Sequence, residues 1–148
     1  MAVTASALEQ EVRIDAPPET VFEFFTDPEK IVRWKGREAD LDPRPGGVYR
    51  VVINDRATAS GEYVEVDPPR RVVFTWGWEG EGSPVAPGSS TVEIDLVPDG
   101  DGTIVRLVHR DLPEEEREQH EHGWAHFLPR LQKAAAGEDP GPDPLAGA

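Results

Sequence analysis

The feature that most constrains this chain is an amphipathic run near its C-terminal end, from Pro113 to Ala136. Its apolar residues recur at the i, i+3, i+4, i+7 spacing of one helix face: Trp124, Phe127, Leu128, Leu131 and Ala135. Acidic residues at its start complement the positive end of a helix, and Gly137 is a typical terminator. Because the remaining chain has mostly the two-residue periodicity of strands, the sequence predicts a long C-terminal helix packed against a sheet.

Alternation of apolar and polar residues predicts the strands of that sheet. The first strand covers Leu8 to Ile14, and two short helices follow it, opened by Pro17–Pro18 and by Asp27–Pro28. Short turns separate the later strands, so neighbours must pair antiparallel. These strands are expected at Ala39–Leu41, Gly47–Ile53, Ser60–Val66, Val72–Trp78, Val92–Leu96 and Thr103–His109. The prediction is one α+β domain with a curved antiparallel sheet of about seven strands.

Other segments are expected to lie outside this regular structure. Residues 1–7 and 137–148 are predicted to be flexible tails around a single domain at 8–136, because they contain little that could be buried. Glu79 to Ser90 is rich in Gly, Pro and Ser, which predicts a long loop that is either a lid or a disordered link. Ser83, Ser89 and Ser90 are expected in that loop, without a base to activate them.

Charge and composition exclude several classes of function. The net charge of -14 has no compensating basic cluster, so binding to nucleic acid or to an anionic membrane surface is disfavoured. The chain has no cysteine, which excludes disulfides and thiolate metal sites. It shows no signal-peptide pattern and no apolar run near the roughly 18 residues of a membrane helix. A soluble cytoplasmic protein is expected.

An ordered set of short motifs between about Leu8 and Ala136 resembles a known family. The motif residues are Ala16 to Phe22, Asp27, Pro28, Trp34, Arg44, Gly46, Gly47, Gly61, Tyr63, Pro69, Arg70, Trp76, Thr103 to His109, Gly123, Trp124, Leu128 and Leu131. In this set the chain is similar to the AHSA1-type (activator of Hsp90 ATPase homologue) branch of the START/Bet v 1 helix-grip (SRPBCC) superfamily. The resemblance implies a seven-stranded sheet that grips the C-terminal helix. It also implies an internal pocket for a small apolar or aromatic molecule.

Large inward-facing side chains are the candidates for lining such a pocket. These candidate ligand-binding residues are Trp34, Tyr63, Phe74, Trp76, Trp78, Leu107, His109, His120, Trp124, Phe127, Leu128 and Leu131. Whether they border a cavity or simply fill a core is open at this point. The leading hypothesis is non-catalytic binding of a small hydrophobic or aromatic molecule, with no cofactor and no metal. His109 or Tyr63 would orient the ligand.

The histidines allow more than one interpretation. Strand parity points His109 inward, where it would orient a ligand or act as an acid or base, or else be a core histidine bonded to a backbone or hydroxyl group. His120 shares the Trp124 stripe and would either gate the pocket or lie exposed in the first turns. His122 and His126 have the i, i+4 spacing of helical metal ligands but are predicted on the opposite face, and no metal site is expected.

Two rival functions follow from the resemblance. Some relatives cyclise or dehydrate polyketide-like substrates, or are consumed while neutralising a toxic metabolite, and an enzyme of this type would need His109. The other rival is an Hsp90-type chaperone partner, although the Hsp90 co-chaperone resembles this chain only in its C-terminal domain. This rival is ranked third because the residues predicted on the exterior are mostly charged. Such a partner would need an exposed apolar patch. A homodimer stays open.

Overall fold

A computed structural model of the protein describes residues 7–141. The elements follow the predicted order of strand, two short helices, six strands and one long helix. Their bounds are β1 Leu8–Ile14, α1 Pro18–Glu23, α2 Pro28–Ile31, β2 Glu38–Leu41, β3 Val48–Asn54, β4 Ala57–Asp67, β5 Arg71–Trp76, β6 Ser90–Asp99, β7 Gly102–Arg110 and α3 Glu114–Ala135. The predicted α+β class is confirmed.

The strands form one seven-stranded antiparallel sheet in the order β1-β7-β6-β5-β4-β3-β2. Strands β2 to β6 each pair with the next strand in sequence. Strand β1 pairs with β7 instead of β2, and Leu8 lies opposite His109 in that pair. The register shifts between Val52 and Asn54 in β3 and between Tyr63 and Glu65 in β4. Such irregularities bend strands and increase their twist, which suits a sheet curved around a helix.

The helix starts follow local chemistry. Pro17 precedes α1 with an extended backbone, and Pro18 occupies the first helical turn, where its missing N–H costs nothing. Asp27 caps α2, because its carboxylate accepts the Glu29 N–H at 2.8 Å. Both predicted helix starts are therefore confirmed.

Helix α3 packs its apolar stripe onto the sheet and onto the α1–α2 segment. Trp124, Phe127, Leu128 and Leu131 are all buried. They join a continuous core with the inward side chains of the strands and with Phe22, Phe24, Phe25, Ile31 and Trp34. The stripe that the sequence singled out is therefore the helical half of the core.

Two segments differ from the expected flexible structure. Val85, in the middle of the predicted loop, is fully buried, and its carbonyl accepts the Trp78 N–H at 2.7 Å. Of the predicted C-terminal tail, residues 137–141 are described, and the carbonyl of Gly141 accepts a hydrogen bond from Arg130 at 3.0 Å. These contacts hold both segments against the domain. The rest of the predicted tails, apart from Ala7, lies outside the described residues.

Candidate functional site

A cavity of about 570 Å³ lies between the middle of α3 and the ends of β3, β4 and β5. Small-molecule sites in proteins commonly have volumes of about 300–1,000 Å³. The residues that line it are Lys35, Ile53, Asn54, Ala57, Trp76, Trp78, Gln119, His120, His122, Gly123, Trp124, His126 and Phe127. A space therefore remains between the middle of α3 and the sheet.

Tryptophan rings form the inner wall of this cavity. The Trp76 ring packs edge-on against Trp78, with centroids 5.3 Å apart, and is tilted against Trp124 at 5.4 Å. Strand β5 supplies Trp76, the next residues supply Trp78, and α3 supplies Trp124. The wall is held from both layers of the domain, and it presents aromatic surface to whatever occupies the space.

Lys35 contributes an amine at the back of the cavity. Its side chain is 1% exposed, and Nζ lies 3.8 Å from the centroid of the Trp76 ring and 4.4 Å from that of Trp124. Nζ also donates to the Tyr49 hydroxyl at 3.2 Å. Burial lowers the pKa of Lys35 well below its usual value, because no neighbouring carboxylate offsets the cost of desolvating an ammonium.

The local fold explains how a lysine reaches this position. It directly follows Trp34, whose indole N–H is bonded to the Phe24 carbonyl at 3.0 Å. Gly36 then adopts φ +80° and lies so close to β3 that a Cβ would approach Val51 and Val52 within 2.7 Å. The anchored indole and the tight turn leave the intervening side chain directed into the domain.

A second polar group beside the cavity is unsatisfied. The indole N–H of Trp76 is buried and has no hydrogen-bond partner in the described structure. An unpaired buried donor costs about 1–3 kcal/mol, so it needs an explanation. It lies on the ring that also contacts Lys35.

His109 is fully buried behind the tryptophan wall, and both of its ring nitrogens are bonded. Nδ1 accepts the Trp124 indole N–H at 3.1 Å, and Nε2 lies 2.9 Å from the Ser90 hydroxyl. That hydroxyl donates to the Trp76 carbonyl at 2.8 Å. The neutral imidazole with its proton on Nε2 satisfies every partner in this chain. Burial first, and then the nearby His120 and Lys35, lower the pKa of His109 to about 3.

His109 is thus a core histidine, which is one of the two interpretations that the sequence left open. The placement of Ser90 is a correction: it begins β6 and contacts His109. Because the Ser90 proton is given to a backbone carbonyl and the imidazole contributes its own proton to Oγ, this pair lacks the arrangement of a nucleophile and its base.

His120 is buried, so the expectation of an exposed first-turn residue is wrong. Its Nε2 accepts the Trp78 indole N–H at 2.9 Å, and its Nδ1 lies 2.7 Å from the Glu116 carbonyl one turn earlier. The bond between Trp78 and His120 joins α3 to the segment after β5. His120 is therefore both a lining residue and a brace.

His122 and His126 also border the cavity, which the sequence did not predict. His122 is exposed at the rim, whereas His126 is half-buried and packs against Phe127 with ring centroids 4.9 Å apart. Within residues 7–141 no three His, Cys, Asp or Glu side chains come together as a metal site would require.

Five of the twelve predicted ligand-binding residues border the cavity. They are Trp76, Trp78, His120, Trp124 and Phe127. The other seven are core residues that do not line it: Trp34, Tyr63, Phe74, Leu107, His109, Leu128 and Leu131. Tyr63 in particular donates its hydroxyl to the Phe25 carbonyl at 2.8 Å, so it is not available to orient a ligand.

Sequence reasoning missed Lys35 and the far wall of Ile53, Asn54 and Ala57. One signal for Lys35 was present, because it is one of only three lysines and stands between a large aromatic residue and a glycine. Periodicity gave no signal for the far wall, since it depends on how the β3–β4 hairpin bends over α3. Gly123 was noted for the family resemblance, but its position on the cavity was not predicted.

The fold and the cavity together define a class of protein. A curved antiparallel sheet of seven strands grips a C-terminal helix, two short helices close one side, and a space remains between the layers, which is the helix-grip arrangement. Residues 15–136 match the family model described as activator of Hsp90 ATPase homolog 1-like protein. The chain belongs to this family.

Solved structures support this membership. An AHSA1-like protein from Rhizobium etli is 47% identical, with 100% of this chain and 94% of that chain covered and a TM-score of 0.75. CalU16 from Micromonospora echinospora is 32% identical in its crystal structure, covering 88% of this chain and 76% of that chain, with a TM-score of 0.72. DynU16, a protein of the dynemicin biosynthetic locus, is 26% identical over 93% of this chain at a TM-score of 0.78. The match spans half of DynU16.

More distant structures share the fold alone. An Hsp90 activator from Plasmodium falciparum is 23% identical, with 84% of this chain and 92% of that chain covered and a TM-score of 0.69. The Aha1 dimer from Colwellia psychrerythraea is 18% identical, with 88% and 96% covered and a TM-score of 0.76. No protein with a curated description matches the chain significantly. None of the helices in residues 7–141 has the length and hydropathy to span a membrane.

Proposed function

We propose that this domain binds a small aromatic molecule, without catalysis, in the cavity between α3 and the ends of β3, β4 and β5. The observation that carries the proposal is the cavity itself, whose volume of about 570 Å³ suits such a molecule. Trp76, Trp78, Trp124 and Phe127 offer ring faces and edges to an aromatic guest. Burial of apolar surface at about 25 cal/mol per Å² supplies most of the affinity.

Polar side chains around the cavity supply orientation. Lys35 lies at the inner end, and Asn54, Gln119 and His122 lie along the lining. A few polar groups set among apolar walls are the usual composition of a small-molecule site. These residues take the orienting role that the sequence had assigned to His109 and Tyr63.

The enzyme alternative loses the residue on which it depended. His109 has both ring nitrogens bonded inside the core and is 0% exposed, which argues against its acting as acid or base on a ligand. The place of DynU16 in a biosynthetic locus supports a small metabolite as the class of ligand.

The chaperone alternative finds little support on the surface. Among residues 7–141 the exposed large hydrophobic side chains are Val48 and Val64. Two valines do not make the apolar patch of several hundred Å² that marks a protein-binding face. The sheet exterior instead carries ion pairs, such as Arg71 with Glu93 and Asp95. A homodimer, the state described for the Colwellia protein, is compatible with ligand binding.

The test is an NMR titration with 2-naphthylmethanol that follows the indole N–H signals of the four tryptophans. We expect the signals of Trp76, Trp78 and Trp124 to shift and that of Trp34, which is bonded in the core, to move least. A Cβ at Gly123 would meet open space at the cavity wall, so a leucine side chain there would occupy the cavity. Gly123→Leu should therefore abolish the shifts.

Ala125→Leu is the matched control, since Ala125 is exposed on the same helix and is not a lining residue. It should bind like the unmodified protein. If a panel of one-ring and two-ring aromatic compounds moves no indole signal, or if Gly123→Leu binds as well as Ala125→Leu, the proposal is wrong.

A further inference from the structure

We propose that the amine of Lys35 forms a reversible Schiff base with an aromatic aldehyde or ketone held in the cavity. This inference rests on the proposed function, because the carbonyl compound has to be seated beside the tryptophan wall before it reacts. It adds a chemical class of ligand and a covalent step to simple binding.

The geometry sets Lys35 apart from the other lysines. Lys30 is partly exposed and pairs with Glu23, and Lys133 is exposed on α3. Lys35 lines the cavity and is wholly buried, and no carboxylate within residues 7–141 forms an ion pair with it. A lysine that serves only to pair charges would have an acidic partner at such a depth.

The surroundings favour the amine as a nucleophile. Two indoles flank Nζ, and the Tyr49 hydroxyl lies within 3.2 Å. Burial also raises the pKa of Tyr49 well above its usual value, so this hydroxyl stays neutral and holds Nζ in place without supplying a negative charge. A desolvated lysine in an apolar pocket is the form of the residue that attacks carbonyl groups in proteins.

The reaction balances without an oxidant, a reductant or a cofactor. The lone pair of Nζ attacks the carbonyl carbon, the new C–N bond forms, and the oxygen takes up a proton to give a carbinolamine. The carbinolamine oxygen then takes up a second proton and leaves as water while the C=N bond forms. The two protons that leave with the water come from the two N–H bonds that the amine gives up. Apolar walls favour the loss of water, and hydrolysis returns the free lysine and the carbonyl compound.

The experiment uses 2-naphthaldehyde with cyanoborohydride, which traps the imine as a stable secondary amine. We expect one naphthylmethyl group per chain in the intact mass and its assignment to Lys35 by peptide mapping. The cavity holds the aldehyde beside Lys35, and the lowered pKa of this residue leaves more of its amine unprotonated. We therefore expect Lys35 to react at least about tenfold faster than Lys30 or Lys133 near pH 7.

Matched variants make the result specific. Lys35→Met keeps the length of the side chain without an amine and should lose the adduct, whereas Lys133→Met should retain it. Gly123→Leu should reduce labelling and Ala125→Leu should not. Circular dichroism of each variant establishes that the domain is folded before labelling is compared.

The outcomes separate the two proposals. If 2-naphthylmethanol shifts the indole signals and the aldehyde gives no preferential adduct at Lys35, the Schiff-base inference fails and the binding proposal stands. If neither compound is bound or trapped, both fail. Equal labelling of all three lysines also overturns the inference, because it shows reaction with accessible amines and not with a cavity residue.

Discussion

Two basic side chains lie buried beneath α3, and their surroundings differ sharply. His109 meets a hydrogen-bonding group at each ring nitrogen, from Trp124 and from Ser90. Lys35 has one neutral phenol, that of Tyr49, and the faces of aromatic rings. Both residues border the same pair of indoles, but only Lys35 lines the cavity. His109 is therefore a polar group that organises the core, whereas the amine of Lys35 is left chemically available.

The largest expected effect is the loss of stability in His109→Ala. Removing the imidazole leaves the Trp124 N–H without its acceptor, removes the donor to the Ser90 oxygen, and opens a void in the core. We expect the free energy of unfolding to fall by about 3–4 kcal/mol, measured by urea denaturation. The exposed His122→Ala on the cavity rim should change it by no more than about 0.5 kcal/mol. A loss below about 1 kcal/mol for His109→Ala would contradict the organising role.

The next effect is the dependence of stability on pH. Burial, then His120 and Lys35, lower the pKa of His109 from 6.5 to about 3. As pH falls below about 6.5, the unfolded chain takes up a proton at this residue and the folded chain does not, so stability falls by up to about 1.4 kcal/mol per pH unit. Below about pH 3 both states are protonated and the loss ends.

Urea denaturation between about pH 6 and pH 4 measures this loss. The total should approach about 3 kcal/mol for the His109 contribution. His109→Gln should be less stable at every pH but should have a flatter profile over this range, because carboxylates and the other histidines contribute equally to both proteins. Parallel profiles would show that folding does not lower the pKa of His109.

A smaller effect of opposite sign is expected for Lys35→Met. The variant removes a buried amine without an acidic partner and keeps the side-chain length, so the free energy of unfolding should rise by about 1–3 kcal/mol near pH 7. Lys133→Met, on the exposed side of α3, is the control and should have little effect. A loss of stability in Lys35→Met would mean that contacts of the ammonium with the Trp76 and Trp124 rings outweigh its desolvation.

The smallest effect concerns the free space beside Lys35. Gly123→Ala should raise the free energy of unfolding by about 0.5–1 kcal/mol, because alanine is the better helix former and its Cβ meets nothing within 4 Å. Gly77→Ala is the contrast, since a Cβ there would lie 1.9 Å from the Ala86 carbonyl oxygen. Thermal unfolding followed by circular dichroism measures both. Destabilisation by Gly123→Ala would show that this wall of the cavity is closed.

Most of the fold could be predicted because its signals are local. The stripe through Trp124, the cap at Asp27 and the alternation in β6 and β7 each depend on residues near one another in sequence. The inward direction of His109 followed from strand parity in the same way. Its partner Ser90 could not be predicted, because the pairing depends on the register of β6 with β7 and on where the preceding loop ends.

The candidate site was harder to predict. Strand alternation shows which side chains face inward, but it does not show how deeply each of them lies in a curved sheet. Phe74 and Trp76 share a face of β5, yet Phe74 stacks on Tyr49 with ring centroids 4.0 Å apart while Trp76 lines the cavity. Lys35 was missed for a related reason, since a charged residue after a short helix is ordinarily exposed. Only the anchored Trp34 and the turn at Gly36 place it inside.

The two indole–imidazole bonds, from Trp124 to His109 and from Trp78 to His120, have a consequence for selectivity. Both bonds tie α3 to the sheet side of the domain, and they lie next to each other, since the ring centroids of His109 and His120 are 5.6 Å apart. Moving α3 outward to admit a bulky ligand would break both bonds at once, so a ligand of the proposed kind would enter through the existing opening of the cavity. The proposed site would then select ligands by their cross-section and not by their length. A slender fused-ring compound would enter, whereas a branched isomer of the same mass would be excluded.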